Sequence, residues 1–496
     1  MSTTNKKKHI IISSNIDLSI GQCDCDCDCA CSLPLQGQAV IDLTAMFQSK
    51  KLCVAKYKSL SLNEEFAICF SPSSRTSVIN QLAISILSEI DGQSFISAQH
   101  MLTQKNGKFF ASDLLTKFIQ AGLIVNTQVK NGVHDPLTTW VHVTDRCNLR
   151  CSYCYLPHVR EDMSSETGRA AIDAIFRSAV ANGFKQVKVK YAGGEPLLRF
   201  SLVEELHIYA QQLAEQHDIE LEGVVLSNGT LLTTEIVGAL KFFGLRLMIS
   251  LDGLGQHHDA HRPYAGGRGS FVDVSEAVDL ALANGLVPNI SVTVSSRTVE
   301  GLPEVMAWIL ERDLPFSLNF YRENELSASH EDMRLDEEKI INGMLAAFKV
   351  IENNLPRHPF LGGIIDRANL SVSHTHTCGV GQNYLVFDQN GQVAKCQMHI
   401  RKLVTDVHAA DPLALIRADQ IGIQNLPVME KEGCKTCEWK HWCAGGCPLA
   451  THRATGRYDV KSPNCNIYKA LFPEALRLEG LRLLKYQDDP EVVIAL

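Results

Sequence analysis

Cys147, Cys151 and Cys154 stand in the run Val143-Thr-Asp-Arg-Cys-Asn-Leu-Arg-Cys-Ser-Tyr-Cys-Tyr155. A Cys-x3-Cys-x2-Cys triplet delivers three thiolates from one short loop. An iron–sulfur cube held by three protein thiolates keeps one iron open, and a substrate or cosubstrate can ligate it there. The competing reading of such a triplet is half of a zinc site. A second cysteine set lies far downstream: Cys378, Gly391-x4-Cys396, then Cys434-x2-Cys437-x5-Cys443-x3-Cys447, and Cys465. A zinc ribbon needs two Cys-x2-Cys pairs, or one pair with two histidines. The 2-5-3 spacing offers neither.

These groups need elements to hold them. Between about Thr138 and Phe320, β-branched runs alternate with amphipathic stretches. Strands are predicted at 138–144, 187–191, 223–227, 247–251, 289–294 and 316–320. Helices between them carry Ile172, Ile175, Phe176 and Val180, then Leu202, Leu206, Tyr209 and Leu213, then Val274, Val278 and Leu282. The first and third stop at Asn182-Gly183 and Asn284-Gly285. Six βα units with buried-type strands indicate an α/β fold with a parallel barrel or an open parallel sheet, and pattern alone does not separate the two. The cysteine triplet follows the first strand, on the face where barrel enzymes build their sites. After later strands come Ala192-Gly-Gly-Glu-Pro196, Ser227-Asn-Gly-Thr230, and Ser250-Leu-Asp-Gly253 with His258, Asp259 and Arg262.

Composition sets the frame. The 496 residues are 45 % apolar and 21 % charged, as in globular proteins, and leave room for two to four domains. A net charge of −8 gives no reason to expect nucleic acid or an anionic membrane as partner. Lys6, Lys7 and Lys8 precede an apolar patch too short for a signal-peptide core, and no run reaches membrane-spanning length. The expected location is therefore cytoplasmic. There, 17 cysteines argue for metal rather than disulfides.

The triplet with its flanking strand resembles the signature of the radical S-adenosylmethionine (SAM) superfamily. The resemblance implies a partial (β/α)6 barrel over 134–325 and a [4Fe–4S] cluster on Cys147, Cys151 and Cys154. It also implies SAM as cosubstrate. Gly193, Gly194 and Glu195 would hold the SAM amino group, Ser227 and Asn228 its ribose, and Ser250 and Arg262 its carboxylate. Reductive cleavage of SAM would then release a 5′-deoxyadenosyl radical that takes hydrogen from an unactivated C–H bond. No side-chain base approaches that strength.

The downstream cysteines resemble the SPASM domain, the auxiliary-cluster module of several peptide-modifying enzymes, over 378–470. Its crossed arrangement implies two auxiliary iron–sulfur clusters. Cys434, Cys437, Cys443 and Cys465 would hold the far one, and Cys378, Cys396 and Cys447 the near one. The near cluster then lacks a fourth thiolate. His374 or His376 would supply that ligand, or the position would stay open for a substrate sulfur.

Residues 40–128 show three short strands (53–62, 65–71, 76–80) and three short helices, resembling a PqqD-like, winged-helix-type α+β domain. Such domains add a leader peptide as a strand to a sheet edge. Residues 126–135 read as a polar connector, 326–377 as a bridging region and 471–496 as a C-terminal helix and tail. Residues 1–39 read as a flexible tail; its run Cys23-Asp-Cys-Asp-Cys-Asp-Cys-Ala-Cys31 would put thiols on one face if extended. Cys53 and Cys69 read as buried small apolar groups.

Together these features predict a peptide maturase. It would install an oxidative thioether or carbon–carbon crosslink in a ribosomally made precursor, with a flavodoxin or ferredoxin as electron donor. Maturation of a protein substrate, as in formylglycine formation, is the alternative within enzymes. A cluster-bearing electron-transfer scaffold is the alternative outside them.

Overall fold

The computed structural model describes residues 11–14, 51–72, 74–106, 108–125, 136–327 and 329–495. The cysteine run at 23–31 and the connector at 126–135 lie outside these residues.

Six strands, Leu137–His142, Gln186–Ala192, Glu220–Ser227, Leu245–Ser250, Asn289–Val294 and Phe316–Phe320, pair in parallel, each with the next in sequence. This is the sheet of the expected partial barrel. Alternation within each strand sorts the side chains. In Gln186–Ala192, Val187, Val189 and Tyr191 join the core beneath the helices. Lys188 and Lys190 occupy the other face and are fully buried, and Lys188 Nζ lies 3.6 Å from the Glu222 carboxylate. Apolar side chains of the inner face (Trp140, Ala192, Val224, Leu226 and Met248) form a separate cluster under the cysteine loop.

Local signals place the helices that cover the outside. Helix Ser165–Ala181 starts where Ser164 Oγ accepts from Thr167 N–H at 3.0 Å, and it ends at Asn182 before the left-handed Gly183. Helix Glu337–Asn353 packs on the long C-terminal helix Cys465–Lys485, with Arg477 ion-paired to Glu352 at 3.0 Å.

Three further strands extend the barrel sheet from its first strand. Tyr384–Phe387 runs parallel to Leu137–His142, with Tyr384 opposite Thr138. Gln392–Ala394 and Leu403–Asp406 then follow antiparallel. The cysteine-rich region is thus built onto the barrel through backbone hydrogen bonds.

The N-terminal region departs from the expected boundaries. Among the described residues its sheet has five strands, in the order Val493–Ala495, Ile11–Ser14, Ser74–Asn80, Phe66–Ser71, Lys58–Ser61. Residues assigned to the two tails therefore complete it by backbone pairing. One face carries Cys69 and Ile79 against helices Gln81–Ile90, Phe95–Asn106 and Lys108–Gln120. The other presents Phe66, Ile68, Phe70 and Val78 to the main core. There Phe70 stacks on Trp439 at 5.5 Å and meets the edge of Trp442 at 5.4 Å. With both faces covered, Phe66–Ser71 is buried throughout. Cys69 is buried as expected; Cys53 is exposed, because among the described residues its short strand pairs only with Ile124–Val125.

Candidate active site

The loop after the first barrel strand is fixed by the turn after the second. Gly194 N–H donates to Thr144 O at 2.6 Å and Glu195 N–H to Arg146 O at 2.8 Å. A Cβ on Gly193 would fall 2.4 Å from Thr144 O, and one on Gly194 would fall 2.2 Å from Arg146 O. Both positions therefore need glycine because the cysteine loop's own backbone lies against them, and not only because a ligand approaches.

Glu195 requires a correction. It is 0 % exposed and does not border the cavity, so its carboxylate is not placed to hold the SAM amino group. Oε1 accepts from Leu197 N–H at 3.0 Å and Ser227 Oγ at 2.8 Å, while Oε2 accepts from Asn228 N–H at 2.7 Å. Burial raises its pKa, and these three donors work against that rise. Glu195 is thus the buried post on which the third-strand turn rests. Asn228, so held, donates to Asn148 Oδ1 at 2.9 Å and points toward Cys147 Sγ at 3.8 Å.

Cys147, Cys151, Cys154, Gly193, Gly194, Ser227, Asn228, Ser250 and Arg262 all line one large cavity. Burial, with added repulsion from Glu195 at Cys147 and from Cys151 at both, pushes the Cys147 and Cys154 thiols up to about 12. Thiols this high stay protonated until a metal displaces the proton. Arg262 is 8 % exposed; Nη1 donates to the Tyr153 hydroxyl and reaches Asp252 Oδ2 at 3.5 Å. Its Nε is buried and unpartnered. Burial alone would raise the Asp252 pKa, but Arg262, His258, the Tyr153 hydroxyl and Thr293 N–H hold it below its ordinary value.

The opposite wall was missed from sequence: Asn319, Tyr321, Arg322, Arg367, Gln397 and Met398 come from the last barrel strand and the regions beyond it. His158, four residues past the triplet, also borders the cavity with a left-handed backbone (φ 56°) and an unpartnered, buried Nδ1. Among the described lining residues there is no carboxylate, which leaves His158 as the imidazole available there. Burial and then Arg150 keep its pKa below the usual histidine value.

Cys378, Cys396 and Cys447 line a second, smaller cavity. Arg322, Arg367, Gln397 and Met398 border both cavities and form the partition between them. Burial opposes ionisation of Cys447, yet Arg322 and Arg367 hold its thiol below the ordinary value. Arg322 is clamped by Asp366 at 2.7 and 2.8 Å, whereas Arg367 has a left-handed backbone (φ 54°) and unpartnered Nε and Nη1. The histidines expected here stand elsewhere. Neither His374 nor His376 lines this cavity, and the His374 ring bonds Val372 O at 3.2 Å. Cys434, Cys437, Cys443 and Cys465 gather on the far side and act electrostatically on one another. Among the described residues no three His, Cys, Asp or Glu side chains converge on a single ion. A multi-iron cluster spreads its thiolates farther apart than one ion does, so this bears on single ions only.

Residues 141–309 match the Radical SAM superfamily model. Over those residues the chain is similar to a radical SAM domain. Over 169 residues it is 30 % identical to an uncharacterized protein of Methanocaldococcus jannaschii, covering 34 % of this chain and 56 % of that one. It is 26 % identical over 330 residues to the serine-type anaerobic sulfatase-maturating enzyme of Klebsiella aerogenes, covering 62 % and 78 %. Among solved structures, anSMEcpe with bound AdoMet and Cp18Cys peptide superposes with a TM-score of 0.55 at 20 % identity, over 70 % of this chain and 99 % of that one. This last likeness concerns the fold. Radical SAM domains use a [4Fe–4S] cluster and SAM. The residues fit that pair: three thiols border one cavity with a buried, unpartnered Arg262 Nε suited to a carboxylate. No helix among the described residues is long and apolar enough to cross a membrane.

Proposed function

We propose that this protein is a radical SAM maturase that oxidatively modifies a ribosomally made peptide, forming a thioether or a carbon–carbon crosslink. One observation carries the proposal. The cavity bordered by the radical-site thiols shares a partition with the cavity bordered by Cys378, Cys396 and Cys447. A substrate seated against Arg322, Arg367, Gln397 and Met398 would lie between the two metal positions. When bound, the cluster and SAM supply a 5′-deoxyadenosyl radical. The chain's own residues do the rest. Arg262 would take the SAM carboxylate, and the turn held by Glu195 would present Asn228 to the ribose. His158 would accept the proton that the modified substrate releases, and the electron left on the substrate radical would pass to the auxiliary cluster that Cys378, Cys396 and Cys447 would hold. An electron carrier such as flavodoxin or ferredoxin would supply the reducing electron.

Recruitment would use the N-terminal sheet. Lys58–Ser61 is one of its two edge strands among the described residues, and Lys58 pairs with Glu438 beside Trp439. A leader peptide added to that edge would run next to the auxiliary-cluster module. The similarity to a sulfatase-maturating enzyme favours a second reading, in which a protein side chain is oxidised to formylglycine.

The first test is anaerobic: reconstituted protein with SAM and a reductant should form 5′-deoxyadenosine. The second offers the full-length chain a short peptide encoded beside its gene, and separately an unfolded sulfatase-type peptide bearing serine or cysteine. Mass loss in the first peptide supports crosslinking. Modification of the second alone replaces that reading with formylglycine formation.

A further inference from the structure

Lys431 is an ammonium in the wrong surroundings for a protein without metal. It is 1 % exposed, and its Nζ donates to a backbone carbonyl, Ala444 O, at 2.7 Å. Among the described residues no carboxylate comes within ion-pair distance of it. An isolated buried charge is expensive unless an opposite charge lies close by. Burial lowers its pKa, and the groups that work against that fall are thiols: Cys378 and Cys447 from the near set, Cys434 and Cys443 from the far set.

The backbone around it is built to that end. Cys443-Ala-Gly-Gly-Cys447 has a far-set thiol at one end and a near-set thiol at the other. Its three middle residues are all left-handed, with φ of 45° at Ala444, 83° at Gly445 and 71° at Gly446. Such a conformation is unfavourable for alanine and needs outside support. Lys431 Nζ supplies it at Ala444 O, together with Thr377 Oγ1, which donates to Ala444 O at 3.0 Å and Gly446 O at 2.8 Å. A Cβ at Gly445 would sit 2.5 Å from Lys431 Cδ, so this glycine makes room for the lysine stem.

We infer that Lys431 is a counter-cation shared by two iron–sulfur clusters, one on each side of the Cys443–Cys447 turn, and that its charge raises the reduction potential of both. The inference rests on the assignment of the two auxiliary cysteine sets and not on the identity of any peptide. Reduction adds negative charge to a cluster, and a fixed cation between the two favours the reduced form of each. Arg322 and Arg367 also serve the near set, whereas the far thiols feel Lys431 together with Lys461 and Lys469, on more open flanks.

The test uses full-length, reconstituted protein in which Cys147, Cys151 and Cys154 are alanine, so that the auxiliary clusters alone give signals. Iron content and dithionite titration followed by electron paramagnetic resonance are compared for Lys431, Lys431→Arg and Lys431→Met. In Lys431→Met the auxiliary clusters should become harder to reduce by at least tenfold in equilibrium constant, about 59 mV for one electron. Lys431→Arg, which keeps the charge, should restore most of the shift. If Lys431→Met loses auxiliary iron while Lys431→Arg keeps it, the charge is needed to hold the clusters and the inference stands. Unchanged potentials in Lys431→Met, or equal loss of iron in both variants, would assign Lys431 to packing and overturn it. Because no peptide is used, these outcomes are independent of whether the substrate reading holds.

Discussion

Arg262 and Glu195 divide the work of the pocket in a way their sequence motif does not reveal. Arg262 borders the cavity with a free, buried Nε. Removing a charge-assisted contact of this kind costs about 1.5–3 kcal/mol. Arg262→Met should therefore weaken SAM binding roughly ten- to a hundredfold with iron content unchanged, as read by calorimetry on the anaerobic protein. An unchanged dissociation constant would leave Arg262 as a partner of Tyr153 and Asp252 alone. Glu195→Gln should act on stability first, since an amide NH2 would face one of three donors, costing about 1–3 kcal/mol. Urea unfolding measures it, and an unshifted midpoint would show that the carboxylate is not holding the turn. His258 adds a pH dependence. Burial and then Arg262 lower its pKa to about 4, while its ring accepts from Asp252 N–H at 3.3 Å. An unfolded histidine binds its proton near pH 6.5. Between those values the unfolded state holds more protons, so stability should fall as pH drops from 6.5 toward 4, by up to about 3 kcal/mol. His258→Gln should flatten that part of the unfolding profile, and an unaltered slope would assign it to other groups.

Elements matter here mainly through their ends. The second-strand turn meets the cysteine loop backbone to backbone, with 2.2 Å left for a Cβ at Gly194. Gly194→Ala should push that loop away and cost the radical-site iron while the auxiliary iron remains. Cys147→Ala, Cys151→Ala and Cys154→Ala together should give the same result, a loss of about one cube per chain. They should also abolish 5′-deoxyadenosine formation. The two cysteine sets sit on separate stretches of backbone, which is why the losses should separate. Iron analysis of both proteins decides it, and retention of full iron in the triple variant would sink the radical-site assignment.

At the scale of the whole molecule, the N-terminal sheet, the cysteine-rich module and the C-terminal helix share one core. Phe70 on Trp439 and Trp442 is the contact where they meet, and Gly480 of the long helix leaves only 2.6 Å between a Cβ and Leu62. Phe70→Ala should cost about 3–5 kcal/mol, as buried aromatic truncations do. Truncation of residues 1–128 should expose Trp439 and Trp442 and yield aggregating protein rather than a free-standing enzyme. Soluble recovery and near-ultraviolet dichroism of the truncated chain check this; a well-packed truncated protein would show that the sheet is an add-on. For the same reason, leader-peptide binding is best measured on the full chain.

What the sequence determined by itself was local and periodic. Six strands, their βα order and the ends that carry chemistry follow from alternation, helix stops and cysteine spacing, all written within a few residues of where they act. The Cys147, Cys151 and Cys154 loop belongs here, because three ligands on one loop need no distant partner to be recognised. The role of Glu195 was not legible, since its motif marks a turn but not whether the carboxylate faces a ligand or the neighbouring strand's amides. Only the tertiary structure brought Arg322, Arg367, Gln397 and Met398 into one partition, because their separations in sequence carry no period. Only it joined Ile11–Ser14 and Val493–Ala495 into one sheet, where two short strands far apart in the chain satisfy each other's backbone. Lys431 shows the difference most plainly: in sequence it is an ordinary lysine between two glutamates, and its meaning comes from being buried among thiols drawn from both sets.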